Sequence, residues 1–427
     1  MISTILGAFR VPEIRRKILF TFALLALYRL GSYIPAPAVN TQALQQIQQA
    51  ASGNGVLGLL NTFSGGGLGR IAIFALGITP YITASIVMQL LQAVLPSLEK
   101  LSKEGEVGQA RITQYTRYLT VGLAFAQSIG YVFLFKSLEN QAGVTLITNF
   151  NVGKVFLIAI SLTAGTVLVM WMGELITQRG IGNGISLMIF ASIVSRIPGG
   201  VQSWWNNPSQ VFKVMMPFIV FGVVAGIVFV QTGQRRIPVQ YAKRVIGQRM
   251  TQGGQTYLPL TVNMAGVIPV IFAATVMAVP PTVGQLIGQN KVHNLGTSIA
   301  NFLSPGGWHY VVGECILIIL FTYFYTAIMF NPIDQAENLK KYGGFIPGVR
   351  PGRPTAEFLD RILARLTLPG ACFLAFIAAL PTILVARTGA SFAFGGTSIL
   401  IVIGVALDTM RQLEAQLMMR NYEGFLK

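Results

Sequence analysis

Residues 74–91 read FALGITPYITASIVMQLL, a membrane-length apolar segment with a proline inside it and no charge. Pro80 has no amide hydrogen for the carbonyl of Leu76, so the sequence predicts a helix kinked at Pro80. Beyond it, Ile82 and Ile86 stand four residues apart and share one helix face, with Thr83 and Ser85 turned elsewhere. The same device recurs further along: Gly77, Pro80, Ile82 and Ala84 reappear with identical spacing as Gly266, Pro269, Ile271 and Ala273 in GVIPVIFAA. Such an internal repeat predicts a second kink at Pro269, and the fold reading rests on it.

Apolar residues make up 53% of the 427-residue chain and charged ones 11%, with a mean hydropathy of +0.61, whereas a soluble domain carries about a quarter charged residues. The chain therefore reads as an all-α polytopic membrane protein. At roughly twenty apolar residues per span, the sequence offers ten candidates, near 18–34, 74–95, 118–135, 155–176, 184–197, 212–230, 264–282, 310–330, 366–385 and 394–410. After the fifth, IPGGVQSWWNNPS is a Pro, Gly and Asn stretch that reads as a connection. Five spans on either side is an odd number, so the second half enters the membrane in the opposite sense. The paired Gly-x-x-Pro segments are second in each half. The expected organisation is two inverted five-helix halves, 1–197 and 209–427, joined by a hinge at 198–208.

Lysine and arginine set the orientation. With a cytoplasmic amino terminus, that side receives Arg10, Arg15, Arg16, Lys17, the loop 100–117, Arg179, the loops around 235–249 and 340–365, and Arg411, Arg420 and Lys427, most of the 31 basic residues. Both termini are thus expected in the cytoplasm. The opposite side has a Gln, Ala and Gly segment, 35–69, without any charge. The opening MISTILGAFRVPEIRRKILF is too weakly apolar before Arg15 for a cleaved signal peptide.

Two large cytoplasmic loops, about 231–261 and 331–365, do more than fix topology. In the first, Arg235, Arg236, Lys243, Arg244 and Arg249 occur with no acid among them, and Ile237, Val239 and Tyr241 alternate with polar neighbours as a short strand or hairpin would. The second is studded with Gly and Pro around Arg350 and Arg353. Contact with anionic lipid alone would account for basic loops, but projecting loops of this size suit docking to a large anionic or acidic partner, of which ribosomal RNA is one. A further segment within the first half, VLGLLNTFSGGGLGRIAIFA, residues 56–75, is apolar but broken by three consecutive glycines and carries Arg70. It is too interrupted for a lipid-facing helix, and a short re-entrant helix in a water-filled cavity is expected; the alternative is an external surface loop.

Several features are ordinary. RGIGNGIS has the wrong spacing for a nucleotide fingerprint and no strand before it, so it reads as a tight turn leading into a helix. Glu174 and Arg179 flank that turn as a boundary pair, and Arg29 is expected to snorkel to the outer interface. Cys315 and Cys372 lie in apolar runs and offer neither a disulfide framework nor a metal cluster. No cofactor is expected. An intramembrane enzyme lacks its nucleophile and base, since His293 and His309 fall in an outer loop and no HExxH or GxSxG occurs. A secondary transporter of small solutes explains the inverted repeat equally well, yet it should carry acids or histidines at mid-membrane depth.

GITPYITASIVMQLL, LEKLSKEGEVGQARITQYTRY, ITQRGIGNGISLMIFASIV, GQRRIPVQYAKR, VNMAGVIPVIFA, FNPIDQAENLKKYGGFIPGVRPG and FGGTSILIV, in this order, resemble the SecY family, the channel-forming subunits of the bacterial Sec protein translocon. The resemblance covers essentially the whole chain. It implies a clamshell of two five-helix halves that passes unfolded secretory polypeptides across the bacterial cytoplasmic membrane and releases transmembrane segments sideways through a lateral gate, whose helices carry Pro80 and Pro269. It implies a pore ring of Ile82, Ile86, Ile185, Ile189, Ile271 and Ile401, and a plug helix over about 57–72 that includes Leu57, Leu60, Phe63, Gly66, Leu68 and Arg70. Arg350 matches the position that activates the motor, and Arg235, Arg236, Lys243, Arg244 and Arg249 the loop that meets the ribosome or motor. The implied partners are SecE, SecG, the motor ATPase SecA, the ribosome, signal sequences, nascent polypeptides and the lipid bilayer. An apolar ring excludes water by dewetting and offers a sliding peptide no fixed hydrogen bond, although ordinary helix packing also produces such stripes.

Overall fold

The computed structural model describes residues 11–40, 64–142, 145–147, 150–206, 210–241, 245–246, 249–250, 254–287, 302, 307–388 and 396–425. Along the chain these form α1 (Pro12–Gly31), α2 (Thr79–Val94), α3 (Pro96–Lys103), α4 (Glu106–Ala142), α5 (Val152–Arg179), α6 (Gly184–Val194), α7 (Ile197–Trp205) and α8 (Gln210–Thr232). Then follow β1 (Gln234–Tyr241), β2 (Val245–Ile246), β3 (Arg249–Met250), β4 (Gln255–Thr261), α9 (Ile268–Ile287), α10 (Trp308–Met329), α11 (Pro332–Lys341), β5 (Gly344–Phe345), α12 (Arg353–Thr388) and α13 (Gly396–Phe425).

Among the described residues, six helical stretches are long and apolar enough to cross a membrane: Glu106–Lys136, Val152–Arg179, Gly184–Gln202, Lys213–Thr232, Trp308–Lys341 and Arg353–Leu380. A seventh arises if α2 and α3, bent by 100° at their junction, count as one span. The other expected spans fall on helices with charged ends, α1 and α13, and on α9, whose described apolar part is Ile268–Val279.

The chain divides into two compact units. Met1–Asn206, Ala274–Val311 and Val405–Lys427 form the first, and Asn207–Ala273 with Val312–Gly404 the second. In the first unit α4 lies along α5, α2 along α4, and α1 against α5 and α6. One apolar core joins Leu68, Ile71, Val132, Ile158 and Leu162, and a smaller one joins Ile14, Ile18, Ile181 and Leu413. RGIGNGIS is the tight turn expected of it: α5 ends at Arg179, Gly182 takes a φ of +84°, and the Asn183 side chain accepts from the amides of Ile185 and Ser186 to cap α6. Glu174 does not pair with Arg179. Its carboxylate is held by Arg117 of α4 through two bonds of 2.8 and 2.6 Å, a fork that fits the planar guanidinium. The segment read as a connection is helical from Ile197 to Trp205, with Pro198 in the first turn of α7, where a missing amide costs nothing.

In the second unit the two basic loops become one folded body. β1 pairs antiparallel with the whole of β4, Gln234 opposite Thr261 to Gln240 opposite Gln255, and β5 adds to the end of β1 through Gln240 and Tyr241. Pro238 thus falls where β1 has one neighbour, the place a strand tolerates a residue without an amide hydrogen. Ile237, Val239 and Leu260 face inward onto Ile346, Leu359 and Leu363. The hairpin expected from the alternation of Ile237, Val239 and Tyr241 is therefore present, and α11 packs on both β5 and α12.

Candidate functional site

The two copies of the Gly-x-x-Pro segment adopt the same conformation. Gly77 and Gly266 take φ of +57° and +65°, left-handed values that favour glycine. A helix then starts two residues later, at Thr79 and at Ile268, with the proline in its first turn. This corrects the expected kinks: Pro80 and Pro269 begin α2 and α9 rather than bending them, since a first-turn residue has no intrahelical acceptor for its amide. The expected helix before Gly77 is instead a run of turns from Ser64 to Ile78. The first amide bonds of the two helices match, Ile82 to Ile78 at 3.1 Å and Ile271 to Val267 at 3.2 Å.

Each copy is also clamped alike. A methyl group on Gly165 of α5 would strike the carbonyl oxygen of Ile73, and one on Gly370 of α12 would come within 2.7 Å of that of Val262. Ile73 and Val262 both lie four residues before the repeat glycine. Small residues at these crossings let helix and backbone approach as closely as membrane packing requires.

Ile82, Ile86, Ile185 and Ile189 belong to the first unit, Ile271 and Ile401 to the second. Ile185 is half-buried and the other five are buried. In the first unit α2 and α6 converge on Gly173, where an added methyl would lie 3.5 Å from Ile78 and 3.6 Å from Ile185. In the second, Gly404 of α13 closes directly on Val267, one turn before Ile271. Within each unit the helices that carry these isoleucines are thus neighbours.

Of the expected plug residues, Leu57, Leu60 and Phe63 lie outside the described residues. Gly66, Leu68 and Arg70 fall in the turns after Ser64, so the described part of the plug segment is not helical, and the paired glycines Gly65 and Gly66 at φ +63° and +91° explain why. Leu68 and Ile71 are buried in the core of the first unit. Arg29 does not extend freely to an interface: its guanidinium donates to the Gly65 carbonyl at 2.5 Å and to the Tyr33 hydroxyl at 2.9 Å.

Arg235 and Arg236 are exposed on β1, and Arg350 is exposed in a loop bracketed by Gly348 and Gly352, both at positive φ. The Arg350 carbonyl accepts from the Thr355 hydroxyl at 2.8 Å, which ties the loop to the start of α12, while the residue itself is exposed. Lys243 and Arg244 lie outside the described residues, and Arg249 is in the short β3 strand paired with β2. Sequence reading missed two buried acids. Glu139, beyond the α4 span, binds Lys136 and the Ile147 amide, and Glu314 lies buried in α10, marked only by one acidic letter in an apolar run. No cluster able to hold a metal occurs among the described residues.

Such a fold, helical spans in two units that each begin their second helix with the same glycine turn, is that of a polytopic membrane protein built on an internal repeat. The family model described as SecY matches residues 72–410, and the chain belongs to the SecY family of protein-translocation channels. It is 48% identical to the protein translocase subunit SecY of Streptomyces galbus and 47% identical to those of Mycobacterium bovis and Corynebacterium glutamicum, in each case over 100% of both chains. A structure titled "The structure of a protein conducting channel" superposes with a TM-score of 0.66 at 20% identity, covering 93% of this chain and 91% of that one. Sec61 from a canine ribosome-channel complex superposes with a TM-score of 0.63 at 20% identity over the same shares.

Proposed function

We propose that this chain is the pore of a bacterial Sec translocon, with ten spans, both termini in the cytoplasm, and unfolded polypeptides passing between its two halves. Ile82, Ile86, Ile185, Ile189, Ile271 and Ile401 form the constriction. The observation that carries this reading is the repeated device itself: in each unit a glycine turn launches a helix whose isoleucine is buried beside another isoleucine-bearing helix. An apolar waist of branched side chains sheds water when closed and grips no particular residue of a client. Residues 57–72 act as the plug, and segments bound for the membrane leave sideways between α2 and α4 on one side and α9 and α10 on the other.

Energy comes from outside. The β1–β4–β5 body with its exposed Arg235, Arg236 and Arg350 is the docking face for the motor ATPase SecA and for the ribosome, and SecE and SecG complete the complex. The test is reconstitution of the full chain with those subunits, motor and ATP in vesicles. An unfolded secretory polypeptide should become protected from external protease, and Arg350→Glu should abolish most of that protection while the channel still inserts and folds. Solute uptake without motor, or full export by the Arg350→Glu variant, would contradict the assignment.

A further inference from the structure

The chain that follows the plug segment is stitched to the end of α1. Past Gly31, the Ala36 amide donates to the Ile71 carbonyl at 2.8 Å and the Ile73 amide to the Ile34 carbonyl at 2.9 Å, with Pro35 and Ala72 opposite each other in an antiparallel bridge. Ile71 and Ala72 are fully buried, so moving this stretch would strip partners from buried backbone groups.

The turn just before it is held in another way. Its own bonds run from the Gly67 amide to the Ser64 carbonyl and from the Leu68 amide to the Ser64 hydroxyl. The Gly65 carbonyl, at a left-handed φ of +63°, accepts instead from Nη1 of Arg29 in the last turn of α1. Nη2 of the same guanidinium donates to the Tyr33 hydroxyl at 2.9 Å. The guanidinium carbons of Arg29 and Arg70 lie 4.8 and 4.0 Å from the centre of the Tyr33 ring. Tyr33 thus meets one cation from α1 and one from the plug segment. A bond from a charged donor is about twice as strong as a neutral one, and a single side-chain bond breaks and re-forms without unpicking the backbone ladder beside it.

We infer that Arg29 is a latch on the plug segment, holding the Gly65 carbonyl while the channel is sealed, and that the Tyr33 hydroxyl and ring keep its guanidinium aimed there. The inference rests on residues 57–72 acting as the plug. When a polypeptide enters, the Gly65 turn lets go of Arg29 while residues 71–73 stay on the end of α1, and the bond re-forms once the polypeptide has left. The latch biases a two-state equilibrium toward the seal. Lysine would serve poorly in its place, since an ammonium on a flexible stem lacks the rigid fork that holds two partners at once.

The test is the ion current through the full-length chain, reconstituted with SecE and SecG in planar bilayers without motor or client. Arg29→Gln should raise the resting current about tenfold, a step of ~1.4 kcal/mol. Arg29→Lys should raise it nearly as much, and Tyr33→Phe, which keeps the ring and loses the hydroxyl, should raise it less. Lys154→Gln removes a charge near the start of α5 in the same unit and should leave the current unchanged. Deletion of residues 57–63 sets the upper limit of the leak. Wild-type current in both Arg29→Gln and Tyr33→Phe beside a leaking deletion would overturn the latch and leave the plug standing. A deletion that leaks no more than wild type would instead overturn the plug on which the latch rests. An equal rise in Lys154→Gln would also overturn the latch, because lost charge rather than a lost bond would then open the seal.

Discussion

Residues 73–84 of the first unit and 262–273 of the second start a helix in the same way and are fed by different segments. The first copy is entered through the buried turns after Ser64, tied to α1 by Arg29. The second is entered from β4, a strand whose sheet carries exposed arginines. Their side chains diverge just past the proline. Thr83 turns its hydroxyl back to the Thr79 carbonyl at 3.1 Å, whereas Phe272 at the matching position stands edge-on to Phe321 and Tyr325, 6.0 and 6.3 Å between ring centres. The repeat supplies the turn and the apolar edge, and the segment before it differs, buried turns in the first unit and a sheet with exposed arginines in the second.

The comparison breaks most sharply at Phe272. Phe272→Ala removes a buried ring with two aromatic neighbours and should destabilise the protein by about 3 kcal/mol or more, while Thr83→Ala, which loses one local hydrogen bond, should cost well under 1 kcal/mol. Thermal unfolding in detergent reads both, and equal losses would mean that the two copies are held alike. Next come the shared clamps. Gly165→Ala and Gly370→Ala should each cost about 1–3 kcal/mol through forced displacement of backbone, although alanine is intrinsically the better helix former by up to about 1 kcal/mol. Gly122→Ala on the open face of α4 supplies the control and should be neutral or stabilising. Tolerance of alanine at only one of the two clamps would show that the repeat is not structural in both units.

The smallest effect depends on pH. Burial alone would raise the Glu139 carboxyl, but Lys136 and the Ile147 amide outweigh it and hold it below its ordinary value of 4.5. A group depressed in the folded state contributes stability above its unfolded value and loses it as pH falls through its folded one. The gap between wild type and Glu139→Gln should therefore be constant at neutral pH and close as pH drops below 4.5. A gap that stays the same in acid would show that the carboxylate charge plays no part.

The repeat was legible because glycine and proline report backbone geometry directly, and Gly77 and Gly266 do occupy left-handed turns. The position of the bend was not. Apolar letters from Phe74 to Ile78 look the same in a buried turn as in a helix, and the first-turn preference of proline was available to place the start of α2 at Thr79 but competes with its role as an interior kink. Strand alternation at Ile237 and Val239 revealed the hairpin, whereas Gly344–Phe345 is too short to show a period, so the joining of the two basic loops was hidden. Arg117 and Glu174, 57 residues apart, meet only after α4 and α5 pack, and proximity in sequence favoured Arg179 instead. The arginines around Tyr33 were scattered letters for the same reason.

The central claim is that isoleucines from both units line one path for a polypeptide. Single cysteines at Ile82, Ile189, Ile271 and Ile401, in a chain with Cys315 and Cys372 replaced by serine, should each form a disulfide with a cysteine in a polypeptide stalled during export. Cysteines at Phe218 and Phe221, each 75% exposed on α8, should not. Adducts at the α8 positions with silence at Ile271 and Ile401 would contradict it.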